Sequence, residues 1–147
     1  MRLFPSGVCV VSANVDGQRV ATTIGPLVSL SLEPPLVGIS VGREVSLNEL
    51  LRTAGGFGVS ILRGDQADVA AHFARSVPPL VLWDSVPYRD GDTGAPLLTE
   101  ALAWIECRLW ARYDAGDHSI FVGEVVAVEE GEPGAGLVYR ERGYHAV

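Results

Sequence analysis

The segment Ala103–Tyr113 constrains the fold of this chain most, because its side chains follow a period of two along its whole length. One face carries Ala103, Ile105, Cys107, Leu109, Ala111 and Tyr113, and the other carries Trp104, Glu106, Arg108, Trp110 and Arg112. Such alternation is typical of an antiparallel β-strand with one buried face. Two tryptophans on the more polar face indicate that it is covered as well, and we interpret Trp104 and Trp110 as a subunit contact.

Apolar segments elsewhere in the chain predict further strands. These segments are Val8–Ala13, Gln18–Thr23, Leu36–Val41, Phe57–Leu62 and Ser119–Val128. Asp16-Gly17 separates the first two segments and is a strong hairpin signal, because glycine accepts a positive φ at the turn. We therefore expect a mainly β protein.

Two short helices are predicted between these strands. Ser46 and Glu49 have the spacing of a capping box, and leucines at positions 47, 50 and 51 would form the apolar face of the first helix. We expect Gly55-Gly56 to end this helix. Asp65 is predicted to open a second helix that runs to Phe73, with acidic residues in its first turn.

Composition sets the broad class of the protein. The chain has 147 residues, of which 48% are hydrophobic and 20% charged, so we expect a single domain over residues 1–147. Its net charge of −7 disfavours nucleic acid and anionic membranes as partners, since both attract basic surfaces. No apolar run approaches ~18 residues, and no signal-peptide pattern is present. A cytoplasmic location is the default expectation.

No motif for direct side-chain catalysis appears in the chain. Gly-x-Gly-x-x-Gly, Walker A and Gly-x-Ser-x-Gly patterns are missing, and the three histidines are scattered rather than clustered as metal ligands. Cys9 and Cys107 lie in apolar segments without Cys-x-x-Cys spacing, and we interpret both as core residues. This pattern suits a protein whose chemistry is supplied by a bound cofactor.

The stretch Val20–Val41 is the strongest candidate for a binding segment. It places hydroxyl side chains and the backbone breakers Gly25 and Pro26 between two apolar runs. Spacing alone leaves two interpretations open, a polar loop between strands or a ligand-binding loop. Downstream, the predicted helix start at Ser46 and the guanidinium of Arg43 would suit a phosphate. An ordinary capped helix with a solvated arginine would explain the same residues.

Four segments of the chain, in order, resemble segments of the flavin reductase-like proteins. They are Phe4–Val8, the pattern Thr-x-x-x-Leu-x-Ser-x-Ser-Leu-Glu-Pro-Pro-Leu-Val over Thr23–Val37, the triplet Gly116-Asp117-His118, and Leu137–Arg140. The resemblance implies a six-stranded antiparallel split β-barrel with short helices, which binds FMN and forms a homodimer. It also implies reduction of FMN or FAD by NADH or NADPH, with reduced flavin passing to a flavin-dependent monooxygenase.

The same resemblance, carried over position by position, implies a set of cofactor contacts. The expected contacts are Gly25, Pro26, Leu27, Val28, Ser29, Ser31, Ser40, Val41, Gly42, Arg43, Ser46, His72, Phe73, Tyr139 and Arg140. His118 is the candidate catalytic residue on the nicotinamide side; a histidine that only braces its turn is the alternative. Two positions depart from the family pattern: Gly25-Pro26 replaces Asn-Ser or Ser-Ser, and Leu47 replaces a threonine near the phosphate.

These departures remove polar contacts and leave a second function open. It is a non-catalytic flavin-binding or electron-carrier module of the same fold. A split-barrel oxidase for a phosphorylated pyridoxine-like substrate is a more distant alternative. That enzyme would need several basic phosphate ligands, and Arg43 stands almost alone.

Overall fold

The computed structural model describes every residue from Met1 to Val147 and consists mainly of antiparallel strands. The strands are β1 (Ser6–Gly7), β2 (Cys9–Val15), β3 (Gln18–Ile24), β4 (Leu27–Leu32), β5 (Pro35–Gly42), β6 (Gly56–Ile61), β7 (Tyr88–Asp90), β8 (Pro96–Leu98), β9 (Ala103–Ala115), β10 (His118–Glu130), β11 (Leu137–Arg140) and β12 (Gly143–Ala146). The helices are α1 (Ser46–Leu51), α2 (Ala67–Phe73) and α3 (Pro79–Leu82). None of the three helices is long and apolar enough to cross a membrane.

Seven of the strands form one open antiparallel sheet in the order β3-β2-β6-β9-β10-β5-β4. Strands β1, β11 and β12 form a separate three-stranded sheet, and β7 pairs with β8. The mainly β class is confirmed, but the expectation of a six-stranded split barrel needs correction. The outer strands β3 and β4 are not hydrogen-bonded to each other, so the sheet stays open, and β4 adds a seventh strand.

Strand β4 forms where the sequence also allowed a polar loop. It pairs with β5 along the sheet edge, from Leu27 opposite Ile39 to Leu32 opposite Pro35. The absence of a side chain at Gly38 makes room for Leu30, whose Cδ1 would lie 2.9 Å from a Cβ at that position. The binding candidate Val20–Val41 therefore covers parts of three strands, β3, β4 and β5, and a short turn at Gly25-Pro26 joins the edge strands β3 and β4.

The β2–β3 hairpin is confirmed at Asp16-Gly17. Both residues have positive φ, 52° for Asp16 and 83° for Gly17, which matches the twist of a two-residue hairpin turn. Cross-strand partners run from Val15 opposite Gln18 to Cys9 opposite Ile24.

The sheet carries helices on both faces, and the alternation of β2 explains why. Cys9, Val11 and Ala13 join a core cluster with Leu47 and Leu51 of α1. Val8 and Val10 face the opposite side and join a second cluster with Phe73 of α2 and Leu82 of α3. The edge strand β3 contributes to both clusters, through Val20 and Ala21 respectively. A gap between the two layers therefore opens at this edge.

Cys9 and Cys107 are free, buried core residues, as predicted. Burial raises the pKa of both thiols to about 12, because a thiolate loses its hydration in an apolar surrounding.

Strand β9 is confirmed, but the interpretation of its tryptophans needs correction. Trp104 is buried within its own chain, where it packs with Leu97 and Ala101. Its indole N–H donates to the Leu98 carbonyl at 2.7 Å. Trp110 is 55% exposed and lies where a register shift in the β9–β10 pairing leaves it opposite no residue. Only Trp110 stays available for a subunit contact.

The termini of both predicted helices also differ from expectation. Val45 is the N-cap residue of α1, and no side chain caps this helix, so the capping box of Ser46 and Glu49 does not form. Helix α1 ends at Leu51, before Gly55. Gly56 serves a different purpose: a Cβ there would overlap the backbone oxygen of Cys107 in β9. Helix α2 begins at Ala67 rather than at Asp65.

Candidate functional site

A cleft of about 770 Å³ lies where three parts of the seven-stranded sheet converge. These parts are the end of β3 with the following turn, the end of β5 with the segment before α1, and the β9–β10 turn. The lining residues are Thr22, Thr23, Ile24, Gly25, Pro26, Ser40, Val41, Gly42, Arg43, Glu44, Val45, Gly116, Asp117 and His118. We call this the first cleft.

Backbone pairing holds the β9–β10 turn against the end of β5. His118 lies opposite Gly42 in the β10–β5 pairing. One residue further, the Arg43 amide donates to the Asp117 carbonyl at 2.9 Å, and the Arg43 guanidinium donates to the Gly116 carbonyl at 3.4 Å. The buried Asn48 amide of α1 donates to the Val41 carbonyl at 2.9 Å. The wall of the first cleft is thereby fixed from two sides.

The His118 imidazole is oriented by its neighbour. Its Nδ1 lies 2.8 Å from Oδ1 of Asp117, and a carboxylate only accepts hydrogen bonds, so Nδ1 carries the proton. The hydrogen bond from His118, together with its charge, holds the pKa of Asp117 below its ordinary value. The other nitrogen, Nε2, lies 4.0 Å from the position of a Cβ on Gly42. It is free to bind a polar group in the cleft.

Hydroxyl groups also line the first cleft. Thr23 donates its hydroxyl to the Ala70 carbonyl at 2.7 Å, which ties β3 to α2. Ser40 also lines the cleft, and its hydroxyl makes no side-chain hydrogen bond within the protein. Ser40 is therefore the hydroxyl best placed to bind a ligand.

A second cleft of about 620 Å³ adjoins the first, since Thr22, Glu44 and Val45 line both. It occupies the gap between the helical layers at the β3 edge. Ser46 lines one side, and the segment from Ala74 to Pro79 lines the other.

The side chains of His72 and Arg75 are linked beside the second cleft. His72 Nε2 lies 2.7 Å from the Leu82 carbonyl, and His72 Nδ1 lies 2.8 Å from Nη2 of Arg75. Arg75 also donates from Nε to the His72 carbonyl at 3.2 Å. The His72 side chain is thus occupied by protein contacts, whereas Arg75 is exposed and lines the cleft.

The structure brings part of the expected contact set together. The first cleft contains Gly25, Pro26, Ser40, Val41, Gly42, Arg43 and His118, and the second cleft contains Ser46. Phe73 is only 1% exposed and belongs to the core. Leu27, Val28, Ser29 and Ser31 lie along the edge strand β4, outside both clefts.

Tyr139 and Arg140 lie on β11, outside both clefts. The Tyr139 ring packs on Tyr144 with ring centroids 5.1 Å apart. Ser6 pairs with Tyr139, and the Ser6 hydroxyl lies 3.0 Å from the position of a Cβ on Gly25. The three-stranded sheet therefore borders the Gly25 end of the first cleft through Ser6.

Several lining residues were not among the expected contacts. They are Thr22, Thr23, Ile24, Glu44, Val45, Gly116 and Asp117. The sequence did indicate some of these residues. The two threonines precede Gly25 in the candidate binding segment, and Gly116 and Asp117 belong to the Gly-Asp-His triplet. No group of three histidine, cysteine, aspartate or glutamate side chains is placed to hold a metal ion.

Comparison with known proteins identifies relatives along the whole chain. The family model described as "Flavin reductase like domain" matches residues 1–147. The reductase component of 4-hydroxyphenylacetate 3-monooxygenase from Thermus thermophilus is 42% identical over 141 residues, which cover 96% of this chain and 88% of that protein.

Two solved structures share the fold closely. BorF, the flavin reductase component of a bacterial two-component tryptophan halogenase, superposes with a TM-score of 0.92 at 39% identity, covering 99% of this chain and 92% of BorF. The Streptomyces globisporus NADH:FAD oxidoreductase SgcE6, in complex with NAD and FAD fragments, gives a TM-score of 0.91 at 33% identity, covering 97% and 86% of the two chains. The chain belongs to the flavin reductase-like domain family.

Proposed function

We propose that this protein is a flavin reductase that uses NADH or NADPH to reduce FMN or FAD. The observation that carries the proposal is the first cleft, where the turn at Gly25-Pro26, the end of β5 and the Gly-Asp-His turn meet. Relatives whose names describe reductase components of a monooxygenase and a halogenase support a second step. In that step, the reduced flavin passes to a partner oxygenase.

The first cleft fits an isoalloxazine ring. Its volume lies within the range of about 300–1,000 Å³ that is typical of cofactor sites. Gly25 and Gly42 keep side chains away from its walls; a Cβ on Gly42 would lie 3.5 Å from Val45 Cγ2. Backbone groups can then approach the ring closely. The Ser40 hydroxyl and His118 Nε2 offer polar contacts at its edges.

Flavin supplies the redox chemistry when it is bound, since it accepts a hydride from a nicotinamide ring stacked on it. The protein contributes orientation. His118, held by Asp117, directs Nε2 towards the nicotinamide side, where it can hydrogen-bond the carboxamide. Arg43, anchored to the β9–β10 turn, keeps that turn in place at the mouth of the cleft.

A steady-state assay tests this function. Purified protein is mixed with NADH or NADPH and with FMN, FAD or riboflavin, and the loss of nicotinamide absorbance is followed. We expect oxidation that depends on both the protein and the flavin. A protein that binds flavin without oxidising either nicotinamide would instead be a flavin-binding or electron-carrier module.

We also propose that the protein is a homodimer. An apolar, exposed patch lies on the sheet beside the first cleft, where Tyr113, Ile120 and Ser40 are cross-strand neighbours. Tyr113 is 60% exposed and Ile120 38% exposed, and Val28 and Leu30 on β4 extend the patch. Exposed apolar patches of this kind mark interaction sites. A second copy on this patch would cover one side of the cleft.

The proposed location is the cytoplasm. Two buried, unpaired cysteines suit a reducing compartment, in which disulfides are rare.

A further inference from the structure

The balance of acidic and basic side chains differs between the two clefts, and this balance determines which cleft is more favourable for the phosphate of a nucleotide. In the first cleft, Glu44 and Asp117 oppose the single guanidinium of Arg43. In the second cleft, Glu44 is the only lining carboxylate and Arg75 supplies one guanidinium. An anion therefore meets less repulsion in the second cleft, which also offers the hydroxyls of Ser46 and Ser76.

Arg75 is held in one orientation by its contact with His72. The Leu82 carbonyl only accepts, so His72 Nε2 carries the proton and Nδ1 presents a lone pair to Nη2–H of Arg75. The second contact, from Nε of Arg75 to the His72 carbonyl, fixes the guanidinium plane. An arginine oriented in advance loses less side-chain entropy when it binds an anion.

His72 is itself rigidly supported. Its ring packs edge-on against Phe73 with centroids 5.0 Å apart, and Phe73 is buried in the core cluster beneath α2 and α3. The core thus fixes the position of His72, and His72 in turn orients Arg75.

We propose that Arg75 binds the phosphate of the bound nucleotide in the second cleft, and that His72 is a positioning residue for Arg75. This inference rests on the proposed function, because it assumes that the ring of the nucleotide lies in the first cleft. The two clefts adjoin at Thr22, Glu44 and Val45, which line both, and in this proposal one ligand lies across these residues. Arg75 would then select phosphorylated over unphosphorylated flavin.

The test measures dissociation constants for FMN and riboflavin by flavin fluorescence, in the wild type and four variants. Arg75→Gln should weaken FMN binding roughly tenfold, as expected for loss of a hydrogen bond to a charged group, and leave riboflavin binding unchanged. Arg75→Lys should restore part of the preference. His72→Leu should reduce the preference by less than Arg75→Gln does. Arg2→Gln, an exposed arginine outside both clefts, is the matched control and should change neither constant.

A parallel titration with NAD⁺ distinguishes the source of the phosphate. Weaker NAD⁺ binding by Arg75→Gln, with FMN binding unchanged, would assign the phosphate to the nicotinamide nucleotide and still support the role of Arg75. Unchanged binding of both FMN and NAD⁺ in folded Arg75→Gln protein would overturn the inference. Flavin binding is measured without turnover, so a failure of NADH oxidation would contradict the proposed function alone.

Discussion

Among the residues of the first cleft, His118 has the most specific expected role, which is to orient the nicotinamide ring. The Nδ1 atom of His118 lies 2.8 Å from Oδ1 of Asp117, so only Nε2 is available to a ligand in the cleft. If it orients the nicotinamide ring, His118→Ala should lower the NADH oxidation rate on the order of a hundredfold, the cost of a misplacement by about 1 Å. Flavin affinity should stay nearly unchanged, as should all properties of the control His145→Ala.

Two results would contradict this role of His118. If the variant lost thermal stability and both activities fell together, His118 would only brace the turn. If the NADH rate and the stability were both unchanged, His118 would lie outside the site.

Glu106 is a buried carboxylate that holds the loop before β8. Burial raises the pKa of Glu106, but hydrogen bonds from the amides of Thr93 and Asp92 and from the Thr93 hydroxyl outweigh this, so the net pKa is lowered. Glu106→Gln should cost about 2 kcal/mol at neutral pH, since it removes charge-assisted acceptors and adds a donor.

The lowered pKa of Glu106 also predicts the pH dependence of this contribution. A carboxylate with a depressed folded-state pKa stabilises the protein fully above its ordinary value of 4.5 and loses this effect as the pH falls through the folded-state value. Melting temperatures of wild type and Glu106→Gln should therefore converge as the pH falls below 4.5 and then through the folded-state pKa. A constant gap across this range would contradict the assignment.

Single residues could be predicted from the sequence where their neighbours in the chain determine them. Cys9 and Cys107 are core residues because the apolar segments around them are strands. The partners of Glu106 and Arg75 could not be predicted. Glu106 contacts a loop thirteen residues away, and the His72–Arg75 pair matters only because folding places the second cleft beside it.

At the scale of elements, the contact between β6 and β9 gives a sharp test. A Cβ on Gly56 would overlap the Cys107 carbonyl, which is backbone and cannot move aside, whereas a Cβ on Gly55 would meet nothing within 4 Å. Gly56→Ala should therefore destabilise the protein by about 1–3 kcal/mol, the usual cost of overpacking. Gly55→Ala is the matched control and should have little effect. Equal melting temperatures for the two variants would show that β6 and β9 are less closely packed.

The strands differed in how well the sequence predicted them. Strand β9 was clear because alternation over a long segment is rarely produced by anything else. Strand β4 was obscured by the proline and glycine residues around it, since its conformation depends on pairing with β5 rather than on its own propensity. Helix α1 begins at Ser46 as predicted, but the predicted capping box does not form, because Val45 occupies the capping position without a side-chain hydrogen bond.

At the scale of the whole molecule, the proposed dimer predicts a change in mass. Tyr113→Glu places a charge in the exposed apolar patch and should convert the dimer to a monomer in sedimentation velocity at micromolar concentration. Leu3→Glu, which alters an exposed apolar residue (61% exposed) away from the patch, should leave the dimer intact. A wild-type protein that sediments as a monomer would contradict the proposed interface.

The overall architecture was predictable only in part. Resemblance along the chain identified the family and the mainly β class. The open sheet of seven strands depends on which edges pair, and this choice is made by contacts between distant segments such as β10 with β5. The second cleft has the same origin, because helices on opposite faces of the sheet leave a gap at the β3 edge.

The most direct test of the central proposal is an anaerobic reaction of the protein with NADH and excess FMN, in which flavin absorbance is followed. A flavin reductase should bleach the flavin, one molecule for each NADH oxidised, at a rate proportional to protein concentration. NADH deuterated at the transferred position should slow single-turnover reduction of bound flavin. If neither NADH nor NADPH reduces FMN, FAD or riboflavin beyond the rate without protein, although flavin binds, the proposed function is wrong.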